Sequence, residues 1–124
     1  RKKATEQQFP GVPLERWRIE VTHTHTQTPE GIRLNYDPKL RNAVIEVGAT
    51  AAPDLWPFFD AIAPLPCAVL HGMNSDLLST ATVAKMAQHN PALIVAHVPD
   101  RAHIPFLDEP EALAALRQWI GQMQ

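Results

Sequence analysis

At 124 residues, 45% of them hydrophobic and 19% charged, the chain has the length and composition of one globular domain or part of one, not of a disordered segment. Eleven basic against 13 acidic residues give a net charge of −2 with no long run of either sign, so nothing electrostatic points to nucleic acid or an anionic membrane as partner. No stretch approaches the roughly 20 apolar residues of a membrane-spanning helix, and Arg1-Lys2-Lys3 leads into polar Thr5-Glu6-Gln7-Gln8, not the apolar core of a signal peptide.

Twelve prolines, roughly double the average usage of about 5%, punctuate short elements without forming a low-complexity tract. The first element is a weak helix from Pro13 to about Thr22, with Leu14, Trp17, Arg18 and Val21 near one face. The polar run Thr22 to Thr28, closed by Pro29-Glu30-Gly31, reads as a loop, and Ile32 to Leu34 as a short extended piece. Asp37-Pro38 then opens a helix, a capping carboxylate ahead of proline, with Leu40, Ala43, Val44 and Val47 at helical spacing and Gly48 as its stop. Asp54 to Ile62 forms another short helix, since proline in its first turn costs little.

From Pro64 onward the pattern becomes alternating strand and helix. Cys67 to Leu70 is an all-apolar run of the kind found in strands buried on both faces. Cys67 is the only cysteine, so it reads as a buried small hydrophobe in a reducing, cytoplasmic setting. After the loop His71 to Leu78, Ser79 caps a helix to about Gln88 that turns Val83, Met86 and Ala87 inward, and Asn90-Pro91 ends it. Leu93 to Val98 is the second strand, and Asp108 with Pro110 opens a last helix with Leu113, Leu116, Ile120 and Met123 at helical spacing.

A strand, a helix and a strand in this order make a βαβ unit with parallel neighbouring strands. Two parallel strands alone leave open edges and too little apolar cover. The expected fold class is therefore α/β but incomplete on its own, the other strands coming from a missing N-terminal segment or from a second copy.

In open α/β sheets functional side chains collect on the loops leaving the C-terminal ends of the strands. Here those loops are 71–78, with Asp76, and 99–106, with His103. Parallel neighbours lie about 4.8 Å apart, so a carboxylate on one loop can reach an imidazole on the next, orient it and stabilise its protonated form.

The string Leu70-His71-Gly72-Met73-Asn74-Ser75-Asp76-Leu77-Leu78, with His103 following 27 residues after Asp76 inside Val98-Pro99-Asp100-Arg101-Ala102-His103-Ile104-Pro105-Phe106-Leu107-Asp108-Glu109-Pro110-Glu111, resembles the end of an α/β-hydrolase. In that family the order is Ser, Asp or Glu, then His. The resemblance implies that Asp76 is the triad acid and His103 the base, that residues 1–55 are a helical cap-type segment returning to the sheet, and that 56–124 form the C-terminal βαβα part of the core. It implies a small-molecule ester or similar carbonyl as substrate, and no cofactor.

Two departures stand out. Ala102 occupies the place where the family usually has glycine, which is tolerated at negative φ and strained at positive φ. No G-x-S-x-G occurs, and Ser75 and Ser79 are the only serines, so the nucleophile lies outside this chain, which is expected to be inactive by itself. An Asp nucleophile of the dehalogenase type, or a non-catalytic binding or fold-completing module, are the alternatives.

Other residues have plainer readings. His23 and His25 share a face if extended but lack a third ligand at suitable spacing, which favours a solvated loop over a metal site. Asp108 and Glu109 suit a helix N-terminus better than general acid work. Trp56, Phe58 and Phe59 read as core ahead of an acyl pocket.

Overall fold

The computed structural model describes residues 6–123, so the opening Arg1-Lys2-Lys3 lies outside the described residues. The described residues divide into two compact units, one spanning Val12–Asp54 and the other holding residues 6–11 together with residues 55–123. Among the described residues no helix is long and apolar enough to cross a membrane.

The first unit holds α1 (Leu14–Thr24), β1 (His25–Thr28), β2 (Gly31–Leu34) and α2 (Leu40–Gly48). Helix α1 buries no residue and carries ion pairs one turn apart, Arg16 with Glu20 at 2.9 Å and Arg18 with Glu15 at 3.5 Å. The run expected as a loop is instead the end of α1 followed by a strand: β1 pairs antiparallel with β2, His25 opposite Leu34 and Thr28 opposite Gly31. Two features account for the difference. Thr26 and Thr28 are β-branched and suit a strand, and Gly31, at φ 131°, supplies backbone freedom after Pro29-Glu30. Asn35 then secures the junction, its backbone N–H donating to Thr24 O at 2.9 Å and its amide to Thr22 O at 3.3 Å, which satisfies carbonyls left open at the end of α1.

Helix α2 begins two residues after the expected Asp37-Pro38 start. Asp37 Oδ1 accepts the Lys39 N–H at 2.9 Å, so the carboxylate closes a turn ahead of the helix and does not cap it. Gly48 is its last residue.

The second unit contains α3 (Trp56–Ala61), β3 (Ala68–Gly72), α4 (Thr80–His89), β4 (Ile94–Val98) and α5 (Pro110–Gly121). Strands β3 and β4 are parallel, in register from Ala68 opposite Ile94 to Gly72 opposite Val98. Ser79 caps α4, its Oγ accepting the Thr82 N–H at 3.1 Å, a contact type worth about 1 kcal/mol. Val83 is the buried residue of that helix, with Met86 and Ala87 half-buried beside it.

The core lies where α5 covers the strands. Ile94, Ala96 and Ala115 are buried together, with Ala68, Leu70 and Trp119 packed against them, and Trp119 donates its indole N–H to Pro66 O at 2.8 Å. The buried residues of α5 are Ala112 and Ala115, while Ile120 and Met123 are exposed: small side chains let the helix approach the strands closely. Strand β3, expected to be buried on both faces, is only half-buried from Ala68 to Leu70, because a pair of strands has too few neighbours to cover both faces.

Trp56 and Phe59 meet edge to face at 5.9 Å, and Trp56 stacks on His89 at 4.5 Å. His89 Nδ1 in turn lies 2.6 Å from Asp60 Oδ1, tying α3 to α4. Phe58, expected in the core with them, is 72% exposed, since residues one turn apart such as 56 and 59 share a helix face and 58 does not. Cys67 is half-buried, its thiol directed to Ile62 O at 3.6 Å.

Candidate active site

Parallel pairing of β3 and β4 sends both chains out at the same edge, and the two emerging loops are locked to each other. Met73 N–H donates to Val98 O at 3.0 Å and Asn74 N–H to Arg101 O at 2.8 Å. At their crossing stands Gly72, buried: a Cβ there would lie 2.6 Å from Arg101 O and nearer still to Ala102 O. The loop carrying His103 thus lies directly on the end of β3, a path open only because residue 72 has no side chain.

The loop carrying Asp76 is closed on itself. Ser75 N–H donates to Gly72 O at 2.9 Å, and Ser75 Oγ accepts the N–H groups of Leu77 at 3.2 Å and Leu78 at 3.0 Å. His71, only 1% exposed, supports its far end by donating from Nε2 to Leu78 O at 2.8 Å. A carbonyl can only accept, so that proton sits on Nε2, and Nδ1 meets His97 Nδ1, 3.0 Å away on the neighbouring strand. Asp76 is exposed, with Oδ2 accepting from Gln8 Nε2 at 3.5 Å, and Gln8 O also accepts the Asn74 amide at 3.1 Å.

His103 is exposed and follows Ala102, which is 1% exposed. Positive φ among the described non-glycine residues is confined to Asp100 (57°) and Leu107 (69°), so Ala102 takes the place of glycine without backbone strain. The structure brings the Asp76 and His103 loops together at one edge, and among the described residues no hydrogen bond joins the two side chains themselves. An apolar groove of about 480 Å³ in the same unit, lined by Phe59, Cys67, Leu70, Leu93 and Trp119 among others, includes neither of them.

Glu109, expected as a simple helix-terminal charge, does more. It is the N-cap of α5, yet its side chain makes no bond to that helix. Buried at 8% exposure, Oε1 accepts Arg101 Nε at 2.8 Å and the Phe106 N–H at 3.1 Å, and Oε2 accepts the Leu107 N–H at 2.9 Å. Its sequence signal is a carboxylate immediately before a first-turn proline, which speaks for its charge and not for the loop amides within its reach. Gly72 and His71 gave no signal of their own.

Burial alone would raise the Glu109 carboxyl, but the Phe106 N–H, its own backbone N–H and the Arg101 guanidinium outweigh that and hold the group below its ordinary 4.5. With the folded value below the unfolded one, ionised Glu109 stabilises the fold above pH 4.5, and that contribution is lost as the pH falls through the lowered value. Glu109→Gln turns an amide NH₂ toward at least one donor and is expected to cost about 1–3 kcal/mol at neutral pH. In denaturant titrations the gap between the two proteins should close below pH 4.5; a gap indifferent to pH would mean that the carboxylate's charge contributes nothing.

The 3-hydroxybutyrate-oligomer hydrolase of Cupriavidus necator is 36% identical to the chain over 90 residues, covering 69% of this chain and 30% of the relative. The crystal structure of an α/β hydrolase from Novosphingobium aromaticivorans matches with a TM-score of 0.83 at 36% identity, over 94% of this chain and 41% of that one. E-2-(Acetamidomethylene)succinate hydrolase matches at 0.65 with 21% identity, over 98% and 43%, a likeness of fold alone. No protein-family model matches. The chain spans less than half the length of each of these three proteins. Its parallel strand pair, the crossing helix and the covering last helix are the C-terminal portion of an α/β-hydrolase fold.

Proposed function

We propose that this chain is part of a hydrolase acting on an ester or similarly polarised carbonyl, with His103 as general base and Asp76 as the carboxylate that orients it. The observation that carries the reading is the joining of the two loops at the C-terminal edge of β3 and β4, through Asn74 N–H to Arg101 O and through Gly72 beneath Ala102. The relative named for the hydrolysis of 3-hydroxybutyrate oligomers favours such a carbonyl as substrate.

In this reading His103 takes the proton of a serine hydroxyl as its oxygen attacks the carbonyl, and then passes that proton to the departing alcohol oxygen; water repeats the cycle on the acyl-enzyme. The serine comes from outside these residues. Ser75 Oγ is engaged by two backbone N–H groups of its own loop and Ser79 Oγ by the start of α4, so each has a structural role. The remaining strands, the nucleophile and the oxyanion-hole amides belong to the part of the fold this chain does not span.

A fluorophosphonate probe applied to the intact hydrolase tests this. It should label one serine, stoichiometrically, outside residues 1–124, with loss of turnover of a short-chain chromogenic ester. A label on Ser75 or Ser79, or neither labelling nor turnover, sinks the proposal; ester turnover without labelling would favour an Asp nucleophile.

A further inference from the structure

His103 sits in an 11-residue connection between Val98 and Pro110 that has no strand or helix of its own. A base must be held to within about 1 Å, since a misplacement of that size can cost about 10² in rate, so something in this connection has to substitute for regular structure. Three donors converge on a single buried group. Glu109 accepts Arg101 Nε two residues before His103, and the Phe106 and Leu107 N–H groups three and four residues after it.

The converging segments are bent to allow this. Asp100 and Leu107, at φ 57° and 69°, enclose the segment that contains His103, and a left-handed conformation is unfavourable for a branched side chain such as leucine. The Leu107 N–H is among the groups Glu109 binds, so the carboxylate holds the residue whose backbone is least inclined to stay. Arg101 is fixed on two further sides, donating to Asp100 O at 2.8 Å and lying 5.4 Å from the centre of the Phe106 ring. Phe106 packs in turn on Phe9 at 5.5 Å.

We infer that Glu109 is a positioning residue for His103, its carboxylate clasping both flanks of the loop so that the imidazole faces the reacting atoms in a fixed orientation. The inference rests on His103 being the base. The backbone contact of Ala102 with Gly72 anchors the segment from below, and Glu109 anchors it from the α5 side.

The test is steady-state turnover of a chromogenic ester by the intact hydrolase, well below its unfolding temperature, for Glu109→Gln, Arg101→Gln and His103→Ala. Glu109→Gln is expected to lower kcat about tenfold or more with KM changed less than about threefold, and to shift the acid limb of the kcat–pH profile. A role confined to the fold would lower Tm and leave kcat and its pH profile unchanged, which overturns the inference. Should Glu109→Gln fail to fold, Arg101→Gln removes one of the three donors and leaves both amides paired; a smaller loss of kcat is expected, and none overturns the inference. His103→Ala separates the two readings: if it retains turnover, the base assignment fails and the clasp has nothing to position, whereas inactive His103→Ala beside unaltered Glu109→Gln refutes the clasp alone.

Discussion

Asp76→Asn in the intact hydrolase is expected to lower kcat by about 10⁴ while leaving KM within a few-fold of its starting value. The substitution keeps the shape of the side chain and the closure of its loop, because that closure runs through Ser75 Oγ, the backbone and His71, not through the Asp76 carboxylate. What changes is chemistry. If Asp76 orients His103 as proposed, an asparagine, which can present an N–H where a carboxylate only accepts, favours the imidazole tautomer with its proton on the wrong nitrogen and withdraws the charge that would stabilise the imidazolium. In the structure Asp76 is exposed and takes a long 3.5 Å bond from Gln8, so its carboxylate is not committed to a tight partner. Catalytic hydrogen bonds are often loose before substrate binds. Kinetics with a soluble ester settle the matter: a loss of less than tenfold removes Asp76 from the triad and returns it to the role of an exposed loop carboxylate.

How much of this was legible follows from the range of each signal. The βαβα unit was readable because its cues are local: apolar runs of strand length, the Ser79 cap, and Pro110 in the first turn of α5. The β1–β2 hairpin is not legible because Thr and His in Thr22 to Thr28 satisfy a polar-loop reading and a strand reading alike, and the deciding contact comes from Asn35, more than ten residues from Thr22 and His23. Phe58 lies outside the core although its type suggests it, because composition marks an aromatic as core without saying which side of a six-residue helix it occupies. The site shows the same division. The spacing of Asp76 and His103 can be read along the chain, but what holds their loops cannot, since it depends on register. Pairing Gly72 with Val98 is what puts Arg101 and Ala102 over residue 72, and Glu109 reaches Arg101 only because the connection folds back on itself.

Gly72→Ala follows from that register and should damage stability and activity together. The added methyl would lie under 3 Å from the carbonyl oxygens of Arg101 and Ala102 and from the Ala102 carbonyl carbon, all of them backbone atoms that cannot swing aside as the end of a side chain can. Either β3 and β4 part at their C-terminal ends, breaking the Met73 and Asn74 bonds, or the Arg101–His103 segment lifts away from the strand. The first route costs about 1–3 kcal/mol by analogy with overpacked cores; the second displaces His103 and is expected to lower kcat by about 10² if that residue is the base. Gly121→Ala is the matched control, since a Cβ there meets nothing within 4 Å, and alanine in a helix is expected to be neutral or up to about 1 kcal/mol stabilising. Chemical denaturation and ester turnover of the two variants, measured side by side, decide it. If Gly72→Ala matches Gly121→Ala in both, the loop carrying His103 does not rest on residue 72.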